Sequence, residues 1–282
     1  MRVITTIEEL HAMRTALMGT LGFVPTMGFL HEGHLDLVRR AVGENDQAGV
    51  SIFVNPTQFG KNEDFAAYPR NLENDLALLE KAGVGFVFAP SVEVMYPTGF
   101  QTYVEVMGVS QGLEGASRPG HFRGVATVVA KLFNLVRPSR AYFGQKDAQQ
   151  VAVIRRMVSD LAMPVTIIIV PTVREPDGLA KSSRNVYLAP TERAAAPVLY
   201  QALSAARRRY EEGERHPDAL RTVMGAVLAT EPRAEVVYLS AADAETLSEL
   251  STPTERPILL TLAVRIGRTR LIDNLTLETA GG

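Results

Sequence analysis

Short, almost continuously apolar runs recur in this chain at residues 21–24, 48–54, 84–88, 141–143 and 165–170, and helix-length amphipathic stretches separate them at 33–42, 71–82, 122–136 and 148–161. This alternation constrains the fold more than any other feature. A strand that is apolar throughout must be covered on both faces, and helical crossovers of this length join parallel strands. A further strand is expected at 102–107. Ligands of such sheets bind beyond the carboxyl ends of the strands.

The character changes after about Pro176. A polar loop leads into helical patterns at 191–212 and 217–229, and then into strands expected at 234–240, 258–266 and 269–273, with Gly267-Arg268 as a hairpin signal. The expected class is therefore α/β, with a parallel sheet covered by helices in residues 1–175 and a smaller α+β domain in 176–282. Residues 281–282 are expected to fray. A chain of 282 residues is long enough for both.

A net charge of −2 gives no reason to expect nucleic acid, and Arg207, Arg208 and Arg209 lie beside Glu211 and Glu212 as on a solvated helix face. The absence of cysteine excludes disulfides, thiolate zinc sites and cysteine nucleophiles, and fits a reducing compartment. Acidic residues arrive too early for a signal peptide, and no apolar run is long enough to span a membrane. A cytoplasmic location without a membrane partner is expected.

The groups suited to chemistry fall at the expected strand ends. In Pro25-Thr-Met-Gly-Phe-Leu-His-Glu-Gly-His34, a strand ends in small residues and turns into a helix headed by His31 and His34. A helix N-terminus presents unpaired N–H groups to an anion. Gly28 and Gly33 let a nucleotide approach the backbone. The two imidazoles share one face of the first turn and can donate to phosphate oxygens. A metal is the poorer reading, because helical histidine pairs are usually spaced four apart with an acidic partner.

Asn55 and Gln58 follow the second strand; both donate and accept, which suits a small acid with hydroxyls. Gly144, Gln145, Lys146 and Asp147 follow a later strand, with Gln150 one helical turn on. Lys146 offers charge to a phosphate, while Asp147 can cap the next helix or hold a ribose. Lys181, Ser182, Ser183 and Arg184 form a donor-rich loop suited to a polyphosphate. The stretch Arg118-Pro-Gly-His-Phe-Arg123 can bind an anion, serve a structural role or lie at a subunit interface.

Taken together, PTMGFLHEGH, SIFVNPTQF, RPGHFRG, FGQKDAQQ, VPTVREPDGLAKSSRN and RLIDN, in this order over nearly the whole length, resemble the pantothenate synthetase family of AMP-forming pantoate–β-alanine ligases. That family belongs to the nucleotidylyltransferase superfamily with a His-x-Gly-His signature. The resemblance implies a Rossmann-like domain followed by a smaller α+β domain, a homodimer, ATP as substrate with Mg²⁺ on its polyphosphate, and pantoate and β-alanine as the other substrates. Met27 to His34 then correspond to an ATP-binding segment, with His34 as the assigned proton donor. Gly144 to Asp147, Val173 and Lys181 to Arg184 correspond to further ATP contacts. Gln58 corresponds to a contact of both pantoate and β-alanine, and Gln150 to a second pantoate contact. Catalytic weight falls on His34, His31 and Lys146, and Asn55 is grouped with the substrate contacts.

Two departures from the family pattern are Phe29, where a small residue is common, and Lys181, where methionine is frequent. Residues 59–65 are expected to act as a lid, with a hinge near Pro176 as a second moving part. Asp75 is expected as an outer partner of the metal. The alternative reading is a nucleotidylyltransferase acting on another small acid or phosphate.

Overall fold

The computed structural model describes residues 1–60 and 65–278. Most of the expected lid, residues 61–64, and the expected frayed residues 281–282 lie outside the described residues. In chain order the first elements are β1 (Arg2–Ile4), α1 (Ile7–Ala16), β2 (Leu21–Thr26), α2 (Glu32–Glu44), β3 (Gln47–Ile52), α3 (Leu72–Lys81), β4 (Phe86–Phe88), α4 (Val92–Met95), α5 (Leu113–Ser117), α6 (His121–Val136), β5 (Arg140–Gly144), α7 (Ala148–Asp160) and β6 (Thr166–Val170). Among the described residues the six strands form one parallel sheet in the order β1-β4-β3-β2-β5-β6.

The apolar runs are buried on both faces because neighbouring side chains point to opposite sides. Phe23, Phe86, Phe88 and Phe143 join a core with α1, α6 and α7. Val24, Val50, Val87 and Tyr142 join another with α2 and α3. Helix α6 is buried on almost every side, so its apolar pattern runs nearly unbroken. The chain reverses its direction of travel across the sheet between β2 and β5, the place where sheets of this kind open a crevice.

The remaining elements are α8 (Pro190–Ala195), α9 (Val198–Glu211), α10 (Pro217–Leu228), β7 (Ala234–Asp243), β8 (Ile258–Ile266) and β9 (Thr269–Leu277). The three strands form an antiparallel sheet in the order β7-β8-β9. Leu199, Leu203, Leu220 and Met224 from α9 and α10 pack with Leu260, Leu262 and Val264 in its core. The expected class is what folds: a helix-flanked parallel sheet followed by a smaller α+β unit.

Three local expectations change. Residues 102–107 pair with no described strand; the segment lies along α6, where the Val104 N–H donates to Thr127 Oγ1 at 2.9 Å. The single helix expected at 191–212 is two, parted at Ala196-Pro197, because proline has no N–H to continue the ladder. Strand β9 runs on to Leu277, past the expected end at residue 273. The last part of that strand is what brings the smaller unit to the crevice. Asn274 Nδ2 donates to the carbonyls of Gln145 at 3.0 Å and Lys146 at 2.8 Å. Arg174 grips Asp273 through its two terminal guanidinium nitrogens, Nη1 and Nη2, at 2.6 and 2.9 Å.

Candidate active site

The turn between β2 and α2 is held from three sides. Thr26 Oγ1 donates to the Ser51 carbonyl at 2.7 Å and accepts from the Gly28 N–H at 3.2 Å. Gly28 sits at φ +79°, where a Cβ would come within 2.9 Å of Asp75 Oδ2. Phe29 follows at φ +51°, a conformation unfavourable for a side chain with a Cβ. The Asp75 carboxylate accepts from the N–H groups of Phe29 and Leu30, both at 2.7 Å. Asp75 therefore organises this turn, and its two oxygens are engaged with backbone.

His31 is the N-cap of α2. Its Nδ1 accepts from the Gly33 N–H at 3.1 Å, and His34 Nδ1 accepts from the His31 N–H at 3.3 Å. The two rings lie 4.1 Å apart. Gly33 is required by this packing, since a Cβ there would stand 2.9 Å from His31 Cε1. With both Nδ1 atoms accepting, each ring carries its proton on Nε2. Burial, reinforced by the Lys146 and Lys181 ammonium groups, pushes His31 down to about 4. Burial, with His31 and Lys146 beside it, pushes His34 down to about 3. Both histidines are thus neutral Nε2–H donors at physiological pH. Such rings can meet an anion by hydrogen bonding rather than by charge.

Beyond β3, a short 3₁₀ turn (Pro56–Gln58) presents Gln58. Asn55 is almost wholly buried, and its amide is occupied within the protein. Its Nδ2 donates to Gln58 Oε1 at 3.0 Å and to the Gly124 carbonyl at 3.1 Å. Its Oδ1 accepts from Thr57 Oγ1 at 2.9 Å and from the Tyr96 hydroxyl at 2.8 Å. Gln58 Nε2 reaches Met27 Sδ at 3.2 Å, a weak acceptor that a better one can displace. The stretch 118–123 has a structural part in this: His121 Nδ1 bonds the Gln58 carbonyl at 2.8 Å, and its Nε2 lies 3.0 Å from an Arg118 nitrogen.

Beyond β5, Gln145–Asp147 form a 3₁₀ turn leading into α7. Asp147 occupies the N-cap position of α7 without bonding that helix through its side chain, so of its two expected roles capping is not realised. Its carboxylate lies 3.3 Å from Lys146 Nζ. Burial would raise the Asp147 carboxyl, yet Lys146, Arg184 and His34 outweigh it and hold the group below the usual carboxylate range. A Cβ on Gly144 would meet nothing within 4 Å, so the space beside that backbone is open. Beyond β6, Lys181 Nζ pairs with Glu175 at 3.1 Å, and Ser183 Oγ donates to the Phe29 carbonyl at 3.4 Å.

These pieces line one cleft of about 210 Å³. Met27, His31, Gly33 and His34 line it, as do Asn55, Gln58, Gly144, Lys146, Asp147 and Gln150. Val173, Lys181, Ser182, Ser183 and Arg184 complete the expected set. Gly28 and Gln145 do not line it: Gly28 sets the turn behind it, and the Gln145 carbonyl is held by Asn274. A larger cleft of about 1280 Å³ shares Lys146, Asp147, Gln150, Ser182 and Arg184 with it and runs on along the three-stranded sheet. His31 and His34 line only the smaller cleft. Tyr68 and Phe53 also line it without having been singled out in the sequence.

A family model for pantoate-beta-alanine ligase matches residues 2–276. The chain belongs to the pantoate-beta-alanine ligase family. It is 61% identical over 277 residues to the pantothenate synthetase of Herpetosiphon aurantiacus, covering 98% of this chain and all of that one. It is 63% identical over 278 residues to that of a Roseiflexus species, covering 99% of this chain and all of the relative. The pantothenate synthetase of Thermus thermophilus superposes with a TM-score of 0.93 at 53% identity, over 98% of this chain and 99% of that one. The pantoate-beta-alanine ligase of Francisella tularensis, solved with beta-gamma ATP and beta-alanine, superposes with a TM-score of 0.80 at 36% identity, over 98% and 97% of the two chains.

For a pantoate-beta-alanine ligase the electrostatics of the cleft are instructive. Among the described residues no group of three or more His, Asp or Glu side chains is placed to hold a metal ion. The nearby carboxylates of Asp147 and Glu175 already face lysines. A hard cation that keeps most of its waters and takes phosphate oxygens fits this site, whereas one needing a protein cage does not. Among the described residues no helix is long and apolar enough to cross a membrane.

Proposed function

We propose that this chain condenses pantoate with β-alanine at the expense of ATP. Pantoate's carboxylate attacks the α-phosphorus, giving pantoyl adenylate and pyrophosphate; the neutral amine of β-alanine then attacks the acyl carbon, giving pantothenate and AMP. One observation carries the reading: two neutral imidazole donors, Lys146 and the amides of Gln58 and Gln150 line a single cleft at the sheet's switch point.

The first step brings two anions together, so its barrier is lowered by donors aimed at the phosphoryl oxygens. His34 and Lys146 are proposed for that role, with His31 beside them and the N–H groups of α2 behind. The helix terminus alone contributes about 0.3–1 kcal/mol, while a preorganised donor in a water-poor site is worth roughly 10²–10³ in rate. Mg²⁺, carried on the polyphosphate, would neutralise charge on the leaving pyrophosphate. Gly144 leaves room for the nucleotide; Asp147 is proposed for its ribose, and Val173, Lys181, Ser182, Ser183 and Arg184 for its remaining contacts. Gln58 and Gln150 are proposed for pantoate. Asn55, its amide already occupied, acts by fixing Gln58.

Residues 1–175 are read as the domain for ATP and pantoate and 176–282 as the unit that closes over them. The closing contacts are Asn274 on the Gln145 and Lys146 carbonyls and Ser183 on Phe29. An acyl adenylate hydrolyses readily, so closure that excludes water serves the reaction. A homodimer in the cytoplasm is part of the same proposal. The test is AMP release from ATP, omitting pantoate or β-alanine in turn. Release that needs both acid and amine supports the reading. Nucleotide transfer to another acid or phosphate, with no requirement for β-alanine, overturns it.

A further inference from the structure

The loop after β6 is a small rigid hairpin. Arg174 and Ala180 form an antiparallel bridge, the Glu175 N–H donates to the Leu179 carbonyl at 2.8 Å, and the Lys181 N–H donates to the Val173 carbonyl at 3.0 Å. Gly178 turns it at φ +93°. Arg174 anchors it through its two bonds to Asp273 and stacks on Tyr200 at 3.9 Å. The hairpin therefore holds Glu175, beside its turn, and Lys181, at its open end, at a set separation.

The two side chains differ in where they face. Lys181 lines the cleft and Glu175 does not. The ammonium reaches back 3.1 Å to the carboxylate, with 25% of the lysine and 31% of the glutamate side chain exposed. Both charges are felt at His31, the lysine depressing its protonation and the glutamate favouring it. A cation is thus stationed at the wall of an anion site, held by a carboxylate on the side away from that site. A partly exposed pair of this kind is weak enough to be exchanged.

We propose that Glu175 is a positioning residue: it parks the Lys181 ammonium at the rim of the cleft, and Lys181 exchanges this carboxylate for polyphosphate oxygens when ATP binds. The proposal rests on the nucleotide reading of the cleft and adds a competitor to it. Glu175 tempers the hold of Lys181 on a polyphosphate and takes the ammonium back when the anion leaves.

The test is ATP titration by calorimetry on four proteins: wild type, Glu175→Gln, Lys181→Met and the double variant, with thermal melting to establish that each is folded. Lys181→Met is expected to weaken ATP about five- to tenfold, the worth of a partly screened charged contact. Glu175→Gln is expected to tighten ATP about two- to fivefold when Lys181 is present and clearly less when residue 181 is methionine, where only its weaker direct repulsion of the anion is relieved. An equal effect of Glu175→Gln in both backgrounds, or weaker ATP binding by that variant alone, overturns the proposal. Binding is read without turnover. A wild type that binds ATP but releases no AMP with pantoate and β-alanine therefore refutes the proposed reaction while leaving the exchange standing. An additive cycle in an active enzyme refutes only the exchange. A wild type that does not bind ATP refutes both.

Discussion

The carboxylate of Asp75 accepts the backbone N–H of Phe29 at 2.7 Å, at a residue whose φ of +51° is costly for any side chain with a Cβ. A second bond at 2.7 Å takes the next N–H, that of Leu30. One buried acid on α3 thus stabilises the turn that carries His31. Strain at an unusual backbone angle persists where its surroundings over-determine it, and here Asp75 supplies two of the bonds that do so, beside those of Thr26 and Ser183.

Asp75→Asn keeps the shape but replaces one acceptor oxygen with a donor, leaving one N–H of the turn without its bond. A loss of about 1–3 kcal/mol in stability is expected, the cost of a buried unsatisfied group. Activity should fall through kcat more than through the KM for pantoate, because the turn positions the histidines rather than Gln58. Urea unfolding and steady-state kinetics on the same preparation check both. Wild-type stability in this variant would show that Asp75 does not hold the turn.

His34→Ala removes a neutral Nε2–H donor from the cleft and the acceptor for the His31 N–H. Adenylate formation is expected to slow roughly 10²–10³-fold, with pantoate binding near normal. Exchange of labelled pyrophosphate into ATP in the presence of pantoate reads this step alone. Near-normal exchange would remove His34 from the chemistry.

The depressed histidines also set a pH dependence. In the unfolded chain His31 and His34 take up protons near the ordinary 6.5, but in the folded protein only at about 4 and 3. Below 6.5 the unfolded state binds more protons, so stability is full above that pH and declines as pH falls toward 4 and then 3. Melting temperature should drop from about pH 7 to about pH 5 in the ligand-free protein. The drop should be shallower in a His31→Gln, His34→Gln double variant. Parallel curves for the two proteins would rule out these histidines as the cause.

Much of this was legible because the strands between helices are buried on both faces and the polar motifs stand at their ends. Residues 102–107 misled because β-propensity describes a side chain that suits a sheet, not the presence of a partner strand. The three residues of β1 were too few to show a pattern. Three of the roles missed in the sequence share one property. Asp75 and His121 act on backbone N–H or carbonyl groups, as does Asn274 in the RLIDN motif, and Tyr96 acts through the buried amide of Asn55. Spacing along a sequence shows which side chains share a face, and it does not show which carbonyl one of them will meet.

Gly124 is where that hidden layer can be tested. Helix α6 lies against the turn bearing Gln58 so closely that a Cβ on Gly124 would stand 2.4 Å from the Thr57 carbonyl oxygen and 2.6 Å from Gln58 Cα. Both are backbone atoms, so no side-chain rotation relieves the contact. Gly124→Ala must push the turn and the helix apart, stretching the Asn55 bond to the Gly124 carbonyl and the His121 bond to Gln58. Overpacking of this kind costs about 1–3 kcal/mol. The alanine itself favours a helix by about 1 kcal/mol over glycine, so the net loss of stability should be modest. The functional loss should be larger and selective, with the KM for pantoate raised about tenfold, or one hydrogen bond's worth, and the KM for ATP little changed. If both KM values rise together, the helix supports the whole cleft rather than the Gln58 turn alone.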